Sequence, residues 1–430
     1  MPNVSFHTLG CKLNFADTGA IRRDFESRGY DVVPFGLSTD VVVVNSCAVT
    51  AEAERKCRQV VRRAIRTCPD AFVVVTGCYA QLRPDELADI HGVDAVVGMA
   101  DKFRFFDTLQ SFTRREATQV EVGCIDEPLP YGSAAARERT RAFLKVQDGC
   151  DYGCSFCTIP RARGAARSMP LDEVVAEAQR LAEEGFPEVV LSGVNVGLYS
   201  DGRYDLLDLM RRLDAETSVR RFRISSIEPN LLTDEIVDFV VGSRAFARHF
   251  HLPLQSGDDF ILGQMRRRYQ RHQYANRVEQ IIERMPDACV GADVIAGFPG
   301  EEGRHFENTM EFISELPIAY LHAFTYSERP GTNIVARPGI ADVRVSKDIR
   351  RRRCRRLRAL SARKRNAFDR AQVGRRSTVV WEAGSGNVCL EGFTDNFVRL
   401  RRSFDPALAC TVQSVTIGPG GTVLNESTPH

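Results

Sequence analysis

Three cysteines lie close together near the middle of the chain, at Cys150, Cys154 and Cys157. Three thiolates on one short loop can hold three corners of an iron–sulfur cluster. A four-iron cluster held in this way keeps one iron without a protein ligand, because no fourth cysteine follows closely. Such an open metal position is where a substrate or cofactor binds. The alternative is a structural zinc loop, but residues 155–228 offer neither a second cysteine pair nor a histidine.

A second set of cysteines is spread over the N-terminal part of the chain. Three apolar runs each precede one of them: residues 4–9 before Cys11, 40–44 before Cys47, and 71–75 before Cys78. Helical patterns lie between these runs, which predicts an α/β domain with a doubly wound parallel sheet. Ligands of such sheets bind beyond the carboxyl ends of the strands, so we expect the three cysteines to form a cluster site. The alternative is three ordinary buried thiols.

From residue 141 onward, a strand pattern followed by a helical pattern occurs six times. The predicted strands are residues 142–146, 188–192, 221–225, 249–254, 289–296 and 319–325. This repetition predicts a partial (β/α)6 barrel whose active-site residues lie in the loops after the strands. The cysteine loop follows the first strand, and small or polar residues such as Gly193, Ser226 and Gln255 follow later ones. We expect such positions to contact a nucleoside cofactor.

Basic residues stand out in two places. Arg161 and Arg163 follow the cysteine loop, where they could neutralise an anionic cluster or lie in solvent. Residues 344–376 hold fifteen Lys or Arg and two acidic residues, in a pattern that predicts a helix. Such an excess needs an anionic partner, and a phosphate backbone fits it better than a membrane surface because the helix lacks a large apolar face.

The last part of the chain, residues 375–426, predicts five short strands separated by Gly, Asn or Pro. Five short strands in so few residues indicate a small OB-like β-barrel of the kind that binds nucleic acid. Candidate contacts are Phe393, Asn396, Phe397 and Arg399. The alternative places these side chains in the core and the turns of the barrel.

Composition limits the class of protein. The chain has 430 residues, of which 43% are hydrophobic, and this length suits about three domains. No apolar run approaches the ~18 residues that a membrane span requires, and the first residues show no secretory signal pattern. We therefore expect a cytoplasmic protein. Thirteen cysteines in a reducing compartment suit metal ligands better than disulfides.

The cysteine loop, with Phe156 before its last cysteine, resembles the signature of the radical S-adenosylmethionine (SAM) superfamily. The resemblance implies that the loop holds a [4Fe–4S] cluster whose open iron binds SAM. The superfamily has Gly-Gly-Glu after its second strand, whereas this chain has Ser192-Gly193-Val194, so only Gly193 carries over. The cofactor contacts expected on this basis are Phe156, Gly193, Ser226 and Gln255.

The whole chain resembles a radical-SAM methylthiotransferase. The matching segments are residues 8–14, 44–47, 76–81, 143–150 and 297–301. The resemblance implies that Cys11, Cys47 and Cys78 hold an auxiliary [4Fe–4S] cluster. It also implies two uses of SAM. One molecule donates a methyl group to a sulfur on the auxiliary cluster, and a second gives a deoxyadenosyl radical that abstracts hydrogen from a C–H bond.

The resemblance further implies a domain organisation. Residues 1–113 form the N-terminal methylthiotransferase domain with the auxiliary cluster, and residues 114–139 form a linker. Residues 140–368 form the radical-SAM core, and residues 369–430 form a TRAM RNA-binding domain.

The motifs around Cys11 and Cys78, Gly-Cys-Lys-Leu-Asn and Gly-Cys-Tyr-Ala-Gln, resemble most the branch that acts on C2 of N6-threonylcarbamoyladenosine at position 37 of tRNA. The implied partners are the tRNA anticodon stem-loop, a flavodoxin-like or ferredoxin-like electron donor, and a sulfur donor. Within the family, the alternatives are the same reaction on isopentenyladenosine or on a ribosomal-protein aspartate. Outside it, they are a sulfur-inserting enzyme that does not methylate and a non-enzymatic iron–sulfur RNA-binding module.

Overall fold

The computed structural model of the chain describes residues 1–109, 111–125, 133–134, 140–336, 338–339, 343–382 and 389–426. Contacts between residues divide the chain into two compact units. The first unit comprises Met1–Ala135, Gln147–Arg167 and Ser327–Val335, and the second comprises Ala136–Val146, Ser168–Tyr326 and Ala336–His430. The cysteine loop therefore belongs to the unit that begins at the N-terminus. Part of the predicted linker, residues 126–132 and 135–139, lies outside the described residues.

A six-stranded parallel sheet organises the first unit, in the order β2-β1-β3-β4-β5-β6. The strands are Asn3–Thr8 (β1), Asp31–Val33 (β2), Val41–Ser46 (β3), Phe72–Gly77 (β4), Ala95–Val97 (β5) and Gln119–Glu121 (β6). The helices are Lys12–Ser27 (α1), Ala51–Thr67 (α2), Cys78–Leu82 (α3), Pro84–Ala88 (α4) and Phe105–Leu109 (α5). Every residue of β3 and β4 is buried, as expected for strands covered on both faces. The predicted doubly wound sheet is confirmed.

The middle of the chain forms the predicted partial barrel. After the two-residue strand Ser133–Ala134 (β7), the strands along the chain are Arg141–Lys145 (β8), Gln147–Asp148 (β9), Arg167–Ser168 (β10), Glu188–Ser192 (β11), Arg221–Ile224 (β12), His249–His251 (β13), Cys289–Ala296 (β14) and Tyr320–Thr325 (β15). Of these, β9 and β10 form a separate two-stranded sheet, and the other six belong to the barrel. Strands β8, β11 and β12 pair in parallel, and so do β13, β14 and β15. Two parallel bridges, Phe222 to Phe246 and Ser226 to His251, join the two sets.

Helices follow these strands along the chain. They are Ile159–Arg163 (α6), Leu171–Glu183 (α7), Leu206–Glu216 (α8), Asp234–Gly242 (α9), Asp259–Gln264 (α10), Arg271–Arg284 (α11), Gly303–Glu315 (α12) and Lys347–Ala371 (α13). Helix α7 buries Leu171, Val174, Ala178 and Leu181, which recur at the spacing of one helix face. No helix within the described ranges is long and apolar enough to cross a membrane.

The last part of the second unit is a small, nearly closed antiparallel barrel, as predicted. Its strands are Arg376–Trp381 (β16), Cys389–Thr394 (β17), Arg399–Ser403 (β18), Val412–Ile417 (β19) and Val423–Glu426 (β20). They pair in the order β18-β17-β16-β19-β20, and the two edge strands β18 and β20 also contact each other. Trp381 lies fully buried in the core, where its indole N–H donates to the Gln413 side-chain oxygen at 2.9 Å.

The basic segment is the helix that its pattern predicts, but part of its charge serves the fold. Arg350 and Arg353 of α13 are buried, and the Arg353 guanidinium pairs with the Glu301 carboxylate. Arg356 forms an ion pair with Glu307 on α12. The positive charge available to a partner is therefore smaller than the sequence count indicates.

A buried charge network joins the two barrels of the second unit. Glu188, at the start of β11, accepts hydrogen bonds from Arg221 and Arg223 at 3.3 and 3.1 Å. Arg221 also donates to the carbonyls of Thr378 and Phe393 at 2.8 and 2.9 Å. Burial alone would raise the pKa of Glu188, but the two guanidinium groups lower that pKa to about 2.

The charge of Glu188 should make the stability of the second unit pH-dependent. Because the folded pKa lies below the unfolded value, the stabilisation is complete above about pH 4.5 and declines as the pH falls toward 2. Glu188→Gln should lower the free energy of unfolding at neutral pH by about 3 kcal/mol and weaken this acid dependence. Urea titrations followed by fluorescence of Trp381, the single tryptophan, measure both effects. The exposed Glu283→Gln on α11 is the control, and equal acid dependence in wild type and Glu188→Gln would contradict the assignment.

Candidate active site

The structure places Cys11, Cys47 and Cys78 beyond the carboxyl ends of three adjacent parallel strands. Cys47 and Cys78 directly follow β3 and β4, and Cys11 lies shortly after β1. The strand order β2-β1-β3 puts the topological switch point between β1 and β3, where doubly wound sheets bind ligands. Cys47 and Cys78 are buried, whereas Cys11 is exposed. Three thiols that are far apart in sequence thus meet at one edge of the sheet.

Two glycines allow the cysteine turns to pack against neighbouring strands. Gly10 and Gly77 have φ angles of 102° and 98°, in the left-handed region that favours glycine. A Cβ atom on Gly10 would lie 2.8 Å from the Cys47 Cβ, and one on Gly77 would lie 2.4 Å from the Asn45 side-chain oxygen. Any side chain at either position would therefore push the cysteine-bearing turns apart.

Polar side chains tie the three strand ends together. The Asn14 amide nitrogen donates to the carbonyl of Leu9 at 2.7 Å and to that of Ser46 at 2.9 Å. The Ser46 hydroxyl donates to the carbonyl of Thr76. The end of β3 is therefore bonded to the loop after β1 on one side and to β4 on the other.

The buried thiols interact with one another through their charges. Burial and, to a smaller extent, the nearby thiols of Cys78 and Cys11 raise the pKa of Cys47 to about 12. Burial also raises the pKa of Cys78, against the opposing effect of the Arg163 guanidinium. Without metal these two thiols keep their protons at neutral pH, so binding of iron here must release protons.

The second cysteine set lies on the loop between β9 and α6, in the same unit. The backbone N–H groups of Tyr152 and Ile159 each donate to a cysteine sulfur, Cys150 and Cys157 respectively, at 3.4 Å. Hydrogen bonds to sulfur of this kind tune the potential of iron–sulfur clusters. Cys154 is buried, and Cys150 and Cys157 are half-buried.

Arg163 connects the two cysteine sets within the first unit. It is the last residue of α6, which follows Cys157 and packs against α3, the helix that begins at Cys78. Its fully buried guanidinium hydrogen-bonds to Asp148 at 2.9 Å and to Asn14 at 2.6 Å, and its positive charge lowers the pKa of the Cys78 thiol against the larger effect of burial. A single side chain therefore contacts elements that carry both sets.

Two further charges complete this buried network. Asp17 of α1 lies 3.2 Å from the Arg163 guanidinium and also pairs with Lys102, and both Asp17 and Lys102 are inaccessible to solvent. The carboxylates of Asp148 and Asp17 raise the pKa of Arg163 against the opposing effect of burial. Arg163 is therefore a permanent cation beside Cys78 and Cys11.

The neighbouring Arg161 has a different environment. It is exposed on the same helix, and its guanidinium donates to the carbonyl of Pro330 at 3.2 Å. Of the two interpretations of this arginine pair, charge neutralisation fits Arg163 and a surface position fits Arg161.

The donor sets in the first unit fit two iron–sulfur clusters. Each offers three thiols, the ligands that such clusters prefer, and a buried cation or backbone N–H groups face the sulfurs. Cys11, Cys47 and Cys78 would hold the auxiliary cluster, and Cys150, Cys154 and Cys157 would hold the radical cluster. Each set leaves one iron of a four-iron cluster open.

The predicted SAM contacts are divided between the units. Phe156 lies on the cysteine loop of the first unit, half-buried. Gly193, Ser226 and Gln255 belong to the second unit, each directly or shortly after a barrel strand. The Ser226 hydroxyl is 2.7 Å from His251 Nδ1, and Gln255 has a φ angle of 65°, which is uncommon for a residue other than glycine.

The structure also identifies residues that sequence reasoning missed. Asn14, Asp17, Asp148 and Lys102 all belong to the buried network around Arg163. Asn14 lies in residues 8–14, one of the segments on which the family resemblance rests, so the sequence could have indicated it as a site residue. Asp17 and Lys102 carry no local pattern, because their pairing depends on the fold.

Comparison with known proteins first gives the class. A family model described as Radical SAM superfamily matches residues 144–313, and one described as Uncharacterized protein family UPF0004 matches residues 3–98. The methyltransferase TsrM from Kitasatospora setae, with tryptophan and a SAM analogue bound, has a TM-score of 0.55 at 16% identity, covering 75% of this chain and 73% of that chain. Apo OxsB, a cobalamin-dependent SAM radical enzyme, has a TM-score of 0.53 at 10% identity, covering 82% of this chain and 56% of that chain. The sequence match and the shared fold define a radical-SAM enzyme.

Full-length relatives give the family. Threonylcarbamoyladenosine tRNA methylthiotransferase MtaB of Bacillus subtilis (strain 168) is 40% identical, covering 84% of this chain and 80% of its own length. The protein of the same name from Aquifex aeolicus (strain VF5) is 38% identical, covering 93% of this chain and 96% of its own length. The tRNA-2-methylthio-N(6)-dimethylallyladenosine synthase of Parafrankia sp. (strain EAN1pec) is 33% identical, covering 88% and 78%. The chain belongs to the radical-SAM methylthiotransferases, in the branch whose members are named threonylcarbamoyladenosine tRNA methylthiotransferase.

Removal of the Arg163 charge should affect the auxiliary cluster most. Arg163→Met leaves two buried carboxylates with fewer partners and removes the cation beside Cys78. After anaerobic reconstitution, we expect this variant to lose the iron of one cluster and to keep the iron of the other. Iron and sulfide analysis with Mössbauer spectroscopy measures this loss. Arg161→Met on the same helix is the matched control, and full iron content in Arg163→Met would refute the role.

Proposed function

We propose that this protein transfers a methylthio group to C2 of N6-threonylcarbamoyladenosine at position 37 of tRNA, with one SAM as methyl donor and another as radical source. The observation that carries the proposal is the presence of two three-cysteine sets in one compact unit, where Arg163, on the helix that follows the second set, lies beside the Cys78 and Cys11 thiols of the first. Relatives over most of the chain, at 34–40% identity, carry the corresponding name. The clusters and SAM, when bound, supply a hydrogen-abstracting radical and a methylthio group.

The chain's own residues position this chemistry. The six cysteines hold the clusters, three beyond the edge of the parallel sheet and three on the loop after β9. Asn14 and Ser46 keep the strand ends at a constant separation, because each bonds to a neighbouring strand or loop. Arg163 keeps a positive charge next to the auxiliary site, which offsets the negative charge of thiolates and sulfides. Phe156, Gly193, Ser226 and Gln255 contact SAM.

The proposed partners follow from the arginines of α13 that form no ion pair within the described ranges and from the needs of the reaction. Arg352, Arg355 and Arg363 are exposed on α13 and contact no acidic side chain among the residues described. These arginines and the small C-terminal barrel contact the phosphates of the tRNA anticodon stem-loop. A flavodoxin-like or ferredoxin-like protein supplies electrons, and a separate donor supplies sulfur. The cytoplasm is the location that fits this set of partners.

The second candidate is the same reaction on N6-isopentenyladenosine. The observation that favours it is the 33% identity to a synthase named for dimethylallyladenosine. The first candidate has the stronger support, because the relatives named for threonylcarbamoyladenosine reach 40% identity.

Mass spectrometry of bulk tRNA nucleosides separates these candidates. Deletion of the gene should abolish 2-methylthio-N6-threonylcarbamoyladenosine and leave its unmethylthiolated precursor in its place. Wild-type protein should restore the product, whereas Cys150→Ala and Cys47→Ala should not. Loss of 2-methylthio-isopentenyladenosine instead would favour the second candidate, and no change in either nucleoside would refute both.

Gln255 provides a test of the SAM contacts. Its backbone N–H donates to the backbone carbonyl of Asp293 at 2.7 Å and its carbonyl accepts from the backbone N–H of Ile295 at 2.9 Å, so neighbouring β14 holds its unusual conformation. Gln255→Ala removes one side-chain hydrogen bond to SAM and should weaken binding about tenfold. Anaerobic equilibrium dialysis of reconstituted protein measures the affinity, with the half-buried Gln179→Ala on α7 as control. Unchanged affinity in Gln255→Ala would remove this residue from the SAM site.

A further inference from the structure

Two histidines and an aspartate stand on three neighbouring strands of the second unit. Asp293 of β14 and His322 of β15 are partners in the strand register, and His251 of β13 pairs with Gly291, two residues before Asp293. Residues paired across parallel strands, and residues two apart on one strand, project from the same face of a sheet. The three side chains therefore share one face, opposite to the one that carries the buried Ala292 and Val294.

The ligand atoms of these residues lie as close together as donors around one metal ion. His251 Nε2 is 3.0 Å and His322 Nδ1 is 3.2 Å from Asp293 Oδ1. All three atoms fall within 4.8 Å of one another, and no other three His, Cys, Asp or Glu residues do so in the part of the chain that the structure describes. Neighbouring donors at about 2.1 Å from a metal are about 3 Å apart. Neither cysteine set meets this distance criterion.

A further contact orients the first histidine. The Ser226 hydroxyl oxygen lies 2.7 Å from His251 Nδ1, and a parallel bridge between the two residues fixes this approach. Metal-bound histidines donate the N–H of the other ring nitrogen to such an acceptor, which fixes the tautomer. With the proton on Nδ1, Nε2 keeps a lone pair that is available to a metal ion.

The space on one side of these three residues is filled by the Tyr320 side chain, whereas the side next to His322 is exposed to solvent. A Cβ atom on Gly291 would lie 2.2 Å from the Tyr320 ring, so the tyrosine occupies the space next to the strand, and its hydroxyl is 2.8 Å from His249 Nε2. The side chains of His251, Asp293 and His322 are 12%, 22% and 55% exposed. A bound ion would therefore keep free positions toward the exposed side of His322.

We propose that His251, Asp293 and His322 bind one divalent transition-metal cation, such as Mn²⁺, Fe²⁺ or Zn²⁺, in addition to the two iron–sulfur clusters. Two imidazoles and one carboxylate on one side of an ion form a facial site with open positions for water or a ligand oxygen. Ser226 positions His251 and does not touch the ion. This site is independent of which modified adenosine the protein acts on.

Binding of Mn²⁺ tests the site, because this ion prefers carboxylate and imidazole to thiolate. Protein with both clusters reconstituted is titrated with Mn²⁺ under anaerobic conditions, and the electron paramagnetic resonance signal of free Mn²⁺ gives the bound fraction. We expect one bound ion per chain in wild type and none in Asp293→Asn or His322→Gln. His272→Gln, exposed on α11, is the matched control and should bind like wild type.

Two further measurements keep the result independent of folding defects. Electron spin echo modulation of Mn²⁺ bound to wild-type protein should show coupling to imidazole nitrogen. Ser226→Ala keeps all three ligands and should weaken binding roughly tenfold or more, and the iron content of each variant reports whether it is folded. Absence of bound Mn²⁺ in wild type, absence of nitrogen coupling, or undiminished binding in iron-loaded Asp293→Asn would each overturn the proposal and leave a hydrogen-bonded His–Asp–His cluster.

Discussion

The buried guanidinium of Arg163 is the contact on which the cluster-binding unit depends. A charge removed from water is stable only where opposite charges and hydrogen-bond acceptors surround it. Here Asp17 comes from α1, Asp148 from β9 and the sulfur of Cys78 from the start of α3. Displacement of any one of these elements would leave a buried charge without a partner. The network therefore holds the two cysteine sets in a constant position relative to each other within the unit.

Much of the fold follows from local pattern. The Val41–Val44 run predicts a strand because four consecutive β-branched residues suit a strand that is covered on both faces. The six strand–helix repeats predict the barrel, and the basic segment predicts α13, whose Leu357 and Leu360 are buried. The pattern of residues 17–28 predicts α1, but the helix begins five residues earlier, at Lys12, directly after its N-cap residue Cys11. Strand β2 was missed, since Asp31–Val33 is too short for a period to show.

The residues of the candidate site that the sequence did not predict pair with residues that are distant in sequence. Lys102 reaches Asp17 only when the loop after β5 folds beside α1, and His251 meets Asp293 and His322 only when three barrel strands align in register. Neither lysine nor histidine has a local pattern that distinguishes a buried partner from a solvated surface. Cysteine differs because the spacing of several cysteines on one loop, or their position after strands, predicts a metal site.

The first unit is built from three stretches of chain, and the last of them, Ser327–Val335, carries Arg329, whose guanidinium pairs with the buried Glu54 of α2. During translation the ribosome must therefore extend the chain well beyond all six cysteines before this unit can close. The nascent chain consequently exposes reduced thiols for the time needed to synthesise the barrel. Only the completed unit therefore offers the thiols in their final arrangement.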